Sequence, residues 1–145
     1  MTVDKYAAIR LKNQMCFPLY VCSKEIVRRY KPYLDVLNLT YTQYIAMMVL
    51  WEKKEVTVTE LGKALYLDSG TLTPLLKKLE QKGYVTRKRM ESDERNVCIS
   101  ITDKGEALKD EAIKVPEQMQ ECIRMDSEEA ETLQRMLHKL LAQFE

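Results

Sequence analysis

The sequence predicts a mostly helical α+β fold that carries one small β-hairpin. Several stretches repeat apolar residues at a helical period and follow helix-capping patterns, whereas a single stretch after Gly83 alternates apolar and polar residues. The 145 residues include four glycines and four prolines, which leaves little room for disordered linkers. A chain of this length fits one domain, and we expect a single domain over residues 1–145.

The first predicted helix follows the helical pattern over residues 6–30. Pro18 stands near its front, and proline is tolerated in the first turn of a helix but disrupts later turns. The regular helix is therefore expected to begin near Phe17 or to be kinked there. Because the residue before proline disfavours the α conformation, we expect Lys31 and Pro32 to close the helix.

Three further helix starts share a capping signature, in which Thr or Asp stands three residues before Glu or Gln. Such a side chain can satisfy free N–H groups of a first turn, which predicts helices at about 41–53, 57–65 and 127–143. The pairs are Thr40 and Gln43, Thr57 and Glu60, and Asp126 and Glu129.

Another helix is predicted in the segment LDSGTLTPLLKKLEQKG, capped by Asp68 or Ser69 and stopped by Gly83. Pro74 falls within its first turn or just past it. Four leucines form one apolar stripe along this helix: Leu72, Leu75, Leu76 and Leu79.

The end of the chain predicts a hairpin and two helices. YVTRKR and NVCISIT alternate apolar and polar residues around the polar turn MESDER, which is typical of a β-hairpin. A long helix follows at about 103–122, and Pro116 is expected to bend it. Apolar residues in this helix and in the last one step by four and three, which predicts packing seams against helices of this subunit or a partner. They are Leu108, Ala112, Val115, Met119, Cys122, Leu133, Leu137, Leu140 and Phe144.

Composition disfavours several classes of protein. The apolar share of 46% and charged share of 31% describe a soluble globular chain. Charges interrupt the first residues every few positions, and no run approaches the roughly 20 apolar residues that span a bilayer, so we expect a cytoplasmic protein without membrane contact. One histidine and four cysteines without a CxxC pair predict no metal and no cofactor.

The order of the central elements predicts a winged helix-turn-helix over residues 39–102. Two short helices are joined by a tight turn, and a basic two-stranded ribbon follows. Residues 62–89 carry seven basic and two acidic side chains, whereas residues 116–145 carry three basic and seven acidic ones. The front of a helix can read the major groove of DNA, and an arginine at a hairpin tip can enter the minor groove. The predicted contacts are Ser69, Gly70, Thr71, Thr73, Pro74, Lys77, Lys78 and Arg95.

The chain resembles the MarR family of bacterial transcription regulators, and more narrowly the organic hydroperoxide resistance regulators. The resemblance rests on residues 67–80, Gly83, Arg87, the DER at 93–95 and the ISITDKG at 99–105, and it covers essentially the whole chain. It implies a homodimeric repressor that binds a pseudo-palindromic operator in double-stranded DNA.

The resemblance also implies roles for regions and residues. Residues 1–38 and 103–145 would form the helical dimerisation region. Arg87 would belong to the DNA-binding set, and Asp93 would brace Arg95 in the wing.

Cys16 has two interpretations from the residues alone, a packing thiol or a reactive one. The resemblance implies that it is the residue that organic hydroperoxide oxidises, and that Tyr20, Tyr30 and Tyr41 support its thiolate. Phenolic O–H groups are suitable donors for a thiolate. Its apolar neighbours could admit an organic hydroperoxide.

The resemblance implies two fates for oxidised Cys16, a disulfide with Cys122 of the partner subunit or an adduct with a small thiol. Cys22 lies about 9 Å further along the helix and cannot bridge to Cys16 without unwinding. We expect Cys22 and Cys98 to be packing residues.

The predicted function is redox-controlled repression, in which oxidation of Cys16 releases the operator and derepresses a peroxide-detoxification gene. One alternative keeps the DNA-binding fold but uses a small phenolic or aromatic ligand as the inducer. A thiol peroxidase is a weaker alternative, because no βαβ pattern surrounds a CxxC and no His or Arg cluster lies near Cys16. We expect no enzymatic activity.

Overall fold

The computed structural model describes residues 2–91 and 93–145, and for residues 93–95 it describes the backbone only. The α-helices are α1 Cys16–Asp35, α2 Tyr41–Lys53, α3 Val58–Leu65, α4 Ser69–Gln81, α5 Asp103–Ala107, α6 Lys109–Ala112, α7 Lys114–Cys122 and α8 Ser127–Leu141. The strands are β1 Glu55–Thr57, β2 Val85–Met90 and β3 Asp93–Ile101. Short 3₁₀ turns cover Ala7–Ile9, Leu11–Asn13 and Ala142–Phe144.

The three strands form one antiparallel sheet in the order β1-β3-β2. The predicted hairpin of β2 and β3 is present, and the predicted fold class is confirmed. Strand β1 was not predicted. It spans three residues and buries Val56 opposite Ile99 of β3, so its strand character depends on a partner more than 40 residues away.

Helix α1 begins at Cys16, close to the predicted start, but it continues through Pro32 to Asp35. The prediction that Pro32 closes the helix was wrong. Proline removes one backbone hydrogen bond from the helix. Beyond it, Leu34 and Leu37 are buried in the core, and this apolar burial stabilises the extra turn.

The predicted caps form. Thr40 and Thr57 each accept a hydrogen bond from the backbone N–H three residues later, and the Gln or Glu at that position reaches back to the cap. At the start of α4 the carboxylate of Asp68 accepts from the backbone N–H of Thr71 at 2.7 Å. Asp126 caps α8 through the backbone N–H of Glu129 at 2.8 Å.

The predicted long helix over residues 103–122 is divided into α5, α6 and α7. Leu108 and Ile113 separate the three parts yet keep right-handed helical dihedrals. Pro116 has no backbone N–H to donate to the carbonyl of Ala112, four residues earlier, which is a reason for the interruption at Ile113. The seam residues Val115 and Met119 are buried, and α7 packs against α1 of the same chain.

The surroundings of Gly105 explain why a glycine stands in the ISITDKG stretch. It is buried at the start of α5, where the Thr102 hydroxyl accepts from its backbone N–H at 3.1 Å. A Cβ atom at this position would lie 2.2 Å from the carbonyl oxygen of Tyr84. The carbonyl of Gly105 in turn accepts from the indole N–H of Trp51 at 2.9 Å, so a side chain here would separate α5 from the sheet and α2.

The hydrophobic core lies in the middle of the chain. Its buried side chains come from α2, α3, α4 and the sheet, with contributions from the end of α1 and from α7. Helix α8 has no buried residue, and the seam residues Leu133 and Leu137 of α8 and Phe144 of the following 3₁₀ turn are exposed by 44%, 40% and 69%. Across the described residues, no helix combines the length and apolar character needed to cross a bilayer.

Candidate thiol site and nucleic-acid interface

The front of α4 is exposed and rigidly capped. Asp68 fixes its first turn, and the hydrogen bond from the backbone N–H of Thr71 lowers the pKa of this carboxyl group. The Thr73 hydroxyl donates to the carbonyl of Ser69 at 2.8 Å. The predicted contacts on this helix all point away from the core: Ser69, Gly70, Thr71, Thr73, Pro74, Lys77 and Lys78.

A groove of about 630 Å³ separates α4 from the wing formed by β2 and β3. Both walls of the groove carry basic side chains, Lys77 from the helix and Arg87 and Arg89 from β2. Arg89 is exposed here and was missed as a candidate from the sequence, although its alternation with Arg87 on β2 was a usable signal. The groove presents positive charge beside the exposed helix front, which suits a phosphate backbone.

Arg87 is held by a side chain of α4. The Oε1 atom of Glu80 accepts from Nε and Nη2 of Arg87, both at 3.2 Å, and its Oε2 accepts from the backbone N–H of Arg87 at 3.1 Å. Arg87 therefore joins β2 to α4 through three hydrogen bonds. These bonds hold β2 against α4, and the direct DNA contact that the resemblance implied for Arg87 stays a prediction.

The wing tip carries the other two predicted residues. The side chains of Asp93 and Arg95 lie outside the described residues, so their predicted contact stays a prediction. The backbone of Asp93 pairs with Met90 after a register shift in β2, and Glu91 lies in a turn.

Cys16 is the first residue of α1 and is exposed. Met15, Phe17 and Leu19 beside it are also exposed. Met15 and Leu19 line a groove of about 540 Å³ together with Leu133, Met136, Leu137 and Leu140 of α8.

The three predicted supporting tyrosines fall into two groups. Tyr20 lies four residues after Cys16, on the same face of α1. Tyr30 and Tyr41 pack together, with ring centroids 5.0 Å apart, and burial followed by the proximity of Tyr41 raises the pKa of Tyr30. Tyr30 is about 21 Å further along α1 than Cys16. Within one chain the structure therefore brings only Tyr20 near Cys16.

Cys122 ends α7 and contacts a residue that the sequence did not suggest. The hydroxyl of Tyr33 lies 2.8 Å from Sγ of Cys122, and the pair is partly buried between α1 and α7. This hydrogen bond is the largest cause of a raised pKa at Tyr33. Tyr33 lies about 25 Å along α1 from Cys16, so Cys16 and Cys122 of one chain stand at opposite ends of that helix.

The other two cysteines differ in their surroundings. Cys98 is half-buried in β3 and donates a hydrogen bond to Glu55 at 2.8 Å; burial, with help from this bond, raises the pKa of its thiol to about 11. Such a thiol is a poor nucleophile at neutral pH. Cys22 is exposed on α1, so the expectation that it packs does not hold within one chain.

No group of three or more His, Cys, Asp or Glu side chains among the described residues is arranged to hold a metal ion.

A capped, exposed helix beside a basic antiparallel wing defines the class of winged helix-turn-helix DNA-binding proteins. The family described as transcriptional regulator SarA/Rot matches residues 28–112. The chain is 47% identical to the organic hydroperoxide resistance transcriptional regulator of Bacillus subtilis (strain 168), over 95% of this chain and 94% of that one. The chain belongs to the MarR family of transcription regulators and, within it, to the organic hydroperoxide resistance type.

AbfR of Staphylococcus epidermidis is similar in structure. The structure of reduced AbfR bound to DNA is 34% identical in sequence and superposes with a TM-score of 0.79, covering 97% of this chain and 98% of that one. The structure of disulfide-formed AbfR gives a TM-score of 0.64 at the same 34% identity, covering 97% of this chain and 93% of that one. The conformation described here is therefore nearer to that of reduced, DNA-bound AbfR.

Proposed function

We propose that this protein is a homodimeric repressor that releases its operator when an organic hydroperoxide oxidises Cys16. The observation that carries the proposal is the exposure of Cys16 at the first turn of α1, beside an apolar groove, in a chain of the organic hydroperoxide resistance type. Release would derepress a gene for peroxide detoxification.

On the DNA side, α4 enters the major groove of a pseudo-palindromic operator and the wing reaches the adjacent minor groove. Two such helices in a dimer read half-sites about one helical turn apart. Arg87 sets the wing angle through Glu80, while Asp93 braces Arg95 at the tip. The α4 contacts are Ser69, Gly70, Thr71, Thr73, Pro74, Lys77 and Lys78.

On the dimer side, residues 1–38 and 103–145 associate through the exposed seam of α8. In a dimer with two-fold symmetry, both subunits contribute the same surface. The start of one α1 helix can therefore lie beside the end of the partner's α1 helix, and this contact occurs twice in the dimer. Cys16 and Tyr20 of one subunit then approach Tyr30 and Tyr41 of the partner subunit. The distance of about 21 Å within one chain supports this arrangement, because one chain cannot assemble the set alone.

The oxidation of Cys16 and the formation of the disulfide are two separate steps. The Cys16 thiolate attacks the terminal oxygen of the hydroperoxide, the O–O bond breaks, and an alcohol leaves after taking up a proton, so that Cys16 becomes a sulfenic acid. Cys122 of the partner subunit then attacks that sulfur, an S–S bond forms, and the S–O bond breaks with loss of water.

A disulfide requires Cα atoms within about 7 Å, so its formation moves helices at the dimer seam and changes the spacing of the two α4 helices. The lower TM-score with disulfide-formed AbfR than with its reduced form supports a movement of this kind.

The test is an operator gel shift with purified protein, with and without cumene hydroperoxide. The wild-type protein should release the operator on oxidation, and a thiol reductant should restore binding. Cys16→Ser should stay bound at every dose, with Cys22→Ser as the matched control that still responds. Release of the operator by oxidant-treated Cys16→Ser, to the same extent as by the wild-type protein, would contradict the proposal. Release by a phenolic acid without oxidant would favour the ligand-induced alternative.

A further inference from the structure

We propose that Tyr33 is a positioning residue for the disulfide-forming step, because its hydroxyl donates to Sγ of Cys122 and favours the attacking thiolate. This inference rests on the proposed pairing of Cys16 with Cys122 of the partner subunit. It adds a residue from the last turn of α1 to a reaction otherwise described by two cysteines and three other tyrosines.

The contact is specific in its geometry. The hydroxyl oxygen of Tyr33 and Sγ of Cys122 are 2.8 Å apart, although the two residues are 89 positions apart in the chain. A phenol is a much stronger donor than a thiol, which assigns the proton of this hydrogen bond to Tyr33. Ile123 follows Cys122 with an extended backbone, so Cys122 stands where α7 gives way to the linker before α8.

The surroundings of Cys122 already carry negative charge. Cys122 is the last residue of α7, at the negative end of the helix dipole, and the carboxylate of Glu121 is adjacent in sequence. The thiolate is the form of Sγ that attacks the sulfenic sulfur. A hydrogen bond donated to the charged form favours that form. The Tyr33 hydroxyl supplies such a bond.

Tyr33 is suited to remain a donor throughout the step. The hydrogen bond to Cys122, then burial, then the negative charges of Cys122 and Glu121 raise the pKa of Tyr33 above its ordinary value of 10.0. The phenol therefore keeps its proton at neutral pH. The thiol proton of Cys122 goes to solvent, the thiolate attacks the sulfenic sulfur of Cys16 of the partner subunit, and the departing hydroxide takes up a proton and leaves as water.

The test follows the two steps separately in the full-length protein. Tyr33→Phe keeps the ring and removes the hydroxyl, and Tyr6→Phe makes the same change at an exposed tyrosine. After one equivalent of cumene hydroperoxide, mass spectrometry measures the sulfenic acid and the disulfide over time. In Tyr33→Phe we expect sulfenic acid to form within about twofold of the wild-type rate and the disulfide to form about tenfold more slowly, as the loss of one hydrogen bond to a charged group predicts.

The pH profile separates this role from simple packing. The rise in the rate of disulfide formation with pH should move to higher pH in Tyr33→Phe and stay in place in Tyr6→Phe. A fluorinated tyrosine at position 33, a stronger donor of the same shape, should raise the rate. In a Cys122→Ser background, Tyr33→Phe should not change how fast the sulfenic acid disappears.

A Tyr33→Phe protein that forms the disulfide at or above the wild-type rate, with an unmoved pH profile, overturns the role of Tyr33 and leaves the proposed function intact. The absence of a Cys16–Cys122 disulfide in oxidised wild-type protein overturns the pairing and the role of Tyr33 together. Operator release through Cys16 would still stand in that case, since the gel shift measures it independently.

Discussion

The middle of the chain and its two ends differ in how they bury apolar surface. Leu50, Leu61 and Leu79 in the middle are fully buried within one chain. Helix α8 carries an equally regular apolar seam but buries none of it. The difference shows that the core around α2, α3, α4 and the sheet is buried within one chain, with help from the end of α1 and from α7, whereas the apolar seam of α8 is exposed.

The candidate DNA contacts and the candidate reactive thiols are divided between the same regions. The candidate DNA contacts lie on the middle of the chain, and Cys16 and Cys122 lie on α1 and α7. In the proposed function, oxidation changes how the subunits are joined, and the operator responds because the distance between two preserved α4 helices changes. The predictions below challenge this division, beginning with the largest expected effect.

Replacing a core leucine and replacing a leucine of the α8 seam should have different effects. Leu61→Ala removes a fully buried side chain and should lower the free energy of unfolding by about 2–5 kcal/mol, measured by urea denaturation. Leu137→Ala should instead weaken self-association, measured by sedimentation, while the helical signal of the dissociated chain is retained. The division fails if Leu137→Ala leaves association unchanged or if Leu61→Ala acts only on association.

The role of Arg87 can be read from the salt dependence of operator binding. Arg87→Ala should weaken binding about tenfold through loss of the contacts to Glu80, but the slope of log affinity against log salt should stay the same because no phosphate contact is lost. Lys77→Ala, the matched control on the exposed helix face, should reduce that slope by about 1. A reduced slope in Arg87→Ala would show a direct phosphate contact.

The cap of α4 should have a smaller effect. Asp68→Ala removes the acceptor for the backbone N–H of Thr71 and should lower the midpoint temperature of thermal unfolding. Asp68→Asn keeps an acceptor and should unfold close to the wild-type temperature. Equal losses in both variants would mean that the charge, and not the hydrogen bond, stabilises the helix.

The last expected effect is confined to high pH. Burial raises the pKa of Tyr44 from 10.0 to about 12, with smaller contributions from Tyr30 and Tyr41. Between these values the unfolded chain releases a proton that the folded chain retains, so the stability from Tyr44 is complete below pH 10 and is lost as pH rises towards 12. We expect a loss of about 1 kcal/mol after solvent screening, and a flatter profile in Tyr44→Phe. Identical profiles would contradict the assignment.

Local features were predictable from the sequence because their causes lie within a few residues. The caps at Thr40, Thr57 and Asp68 each satisfy N–H groups three positions away, and all three form. The hairpin was likewise predictable from its alternation and its polar turn.

Features with distant causes were not predictable. Helix α1 continues past Pro32 because Leu34 is buried against elements far along the chain. Strand β1 exists because β3 pairs with it. The Tyr33–Cys122 contact joins two helices that are far apart in the sequence, and no repeat of residue types indicates that they meet. Each of these three features depends on a tertiary contact. The spacing of apolar residues along the chain does not show which elements contact each other.

The central claim is that the reactive site spans two subunits, and a mixed dimer tests it most directly. Cys16→Ser and Cys122→Ser chains, one of them lengthened by a tag, are co-expressed, and the mixture is treated with cumene hydroperoxide and run on non-reducing electrophoresis. Each variant alone should form no Cys16–Cys122 cross-link, whereas the mixture should form a covalent dimer of one tagged and one untagged chain and release the operator. A mixture that forms no mixed covalent dimer, while oxidised wild-type protein forms the disulfide, would contradict the claim.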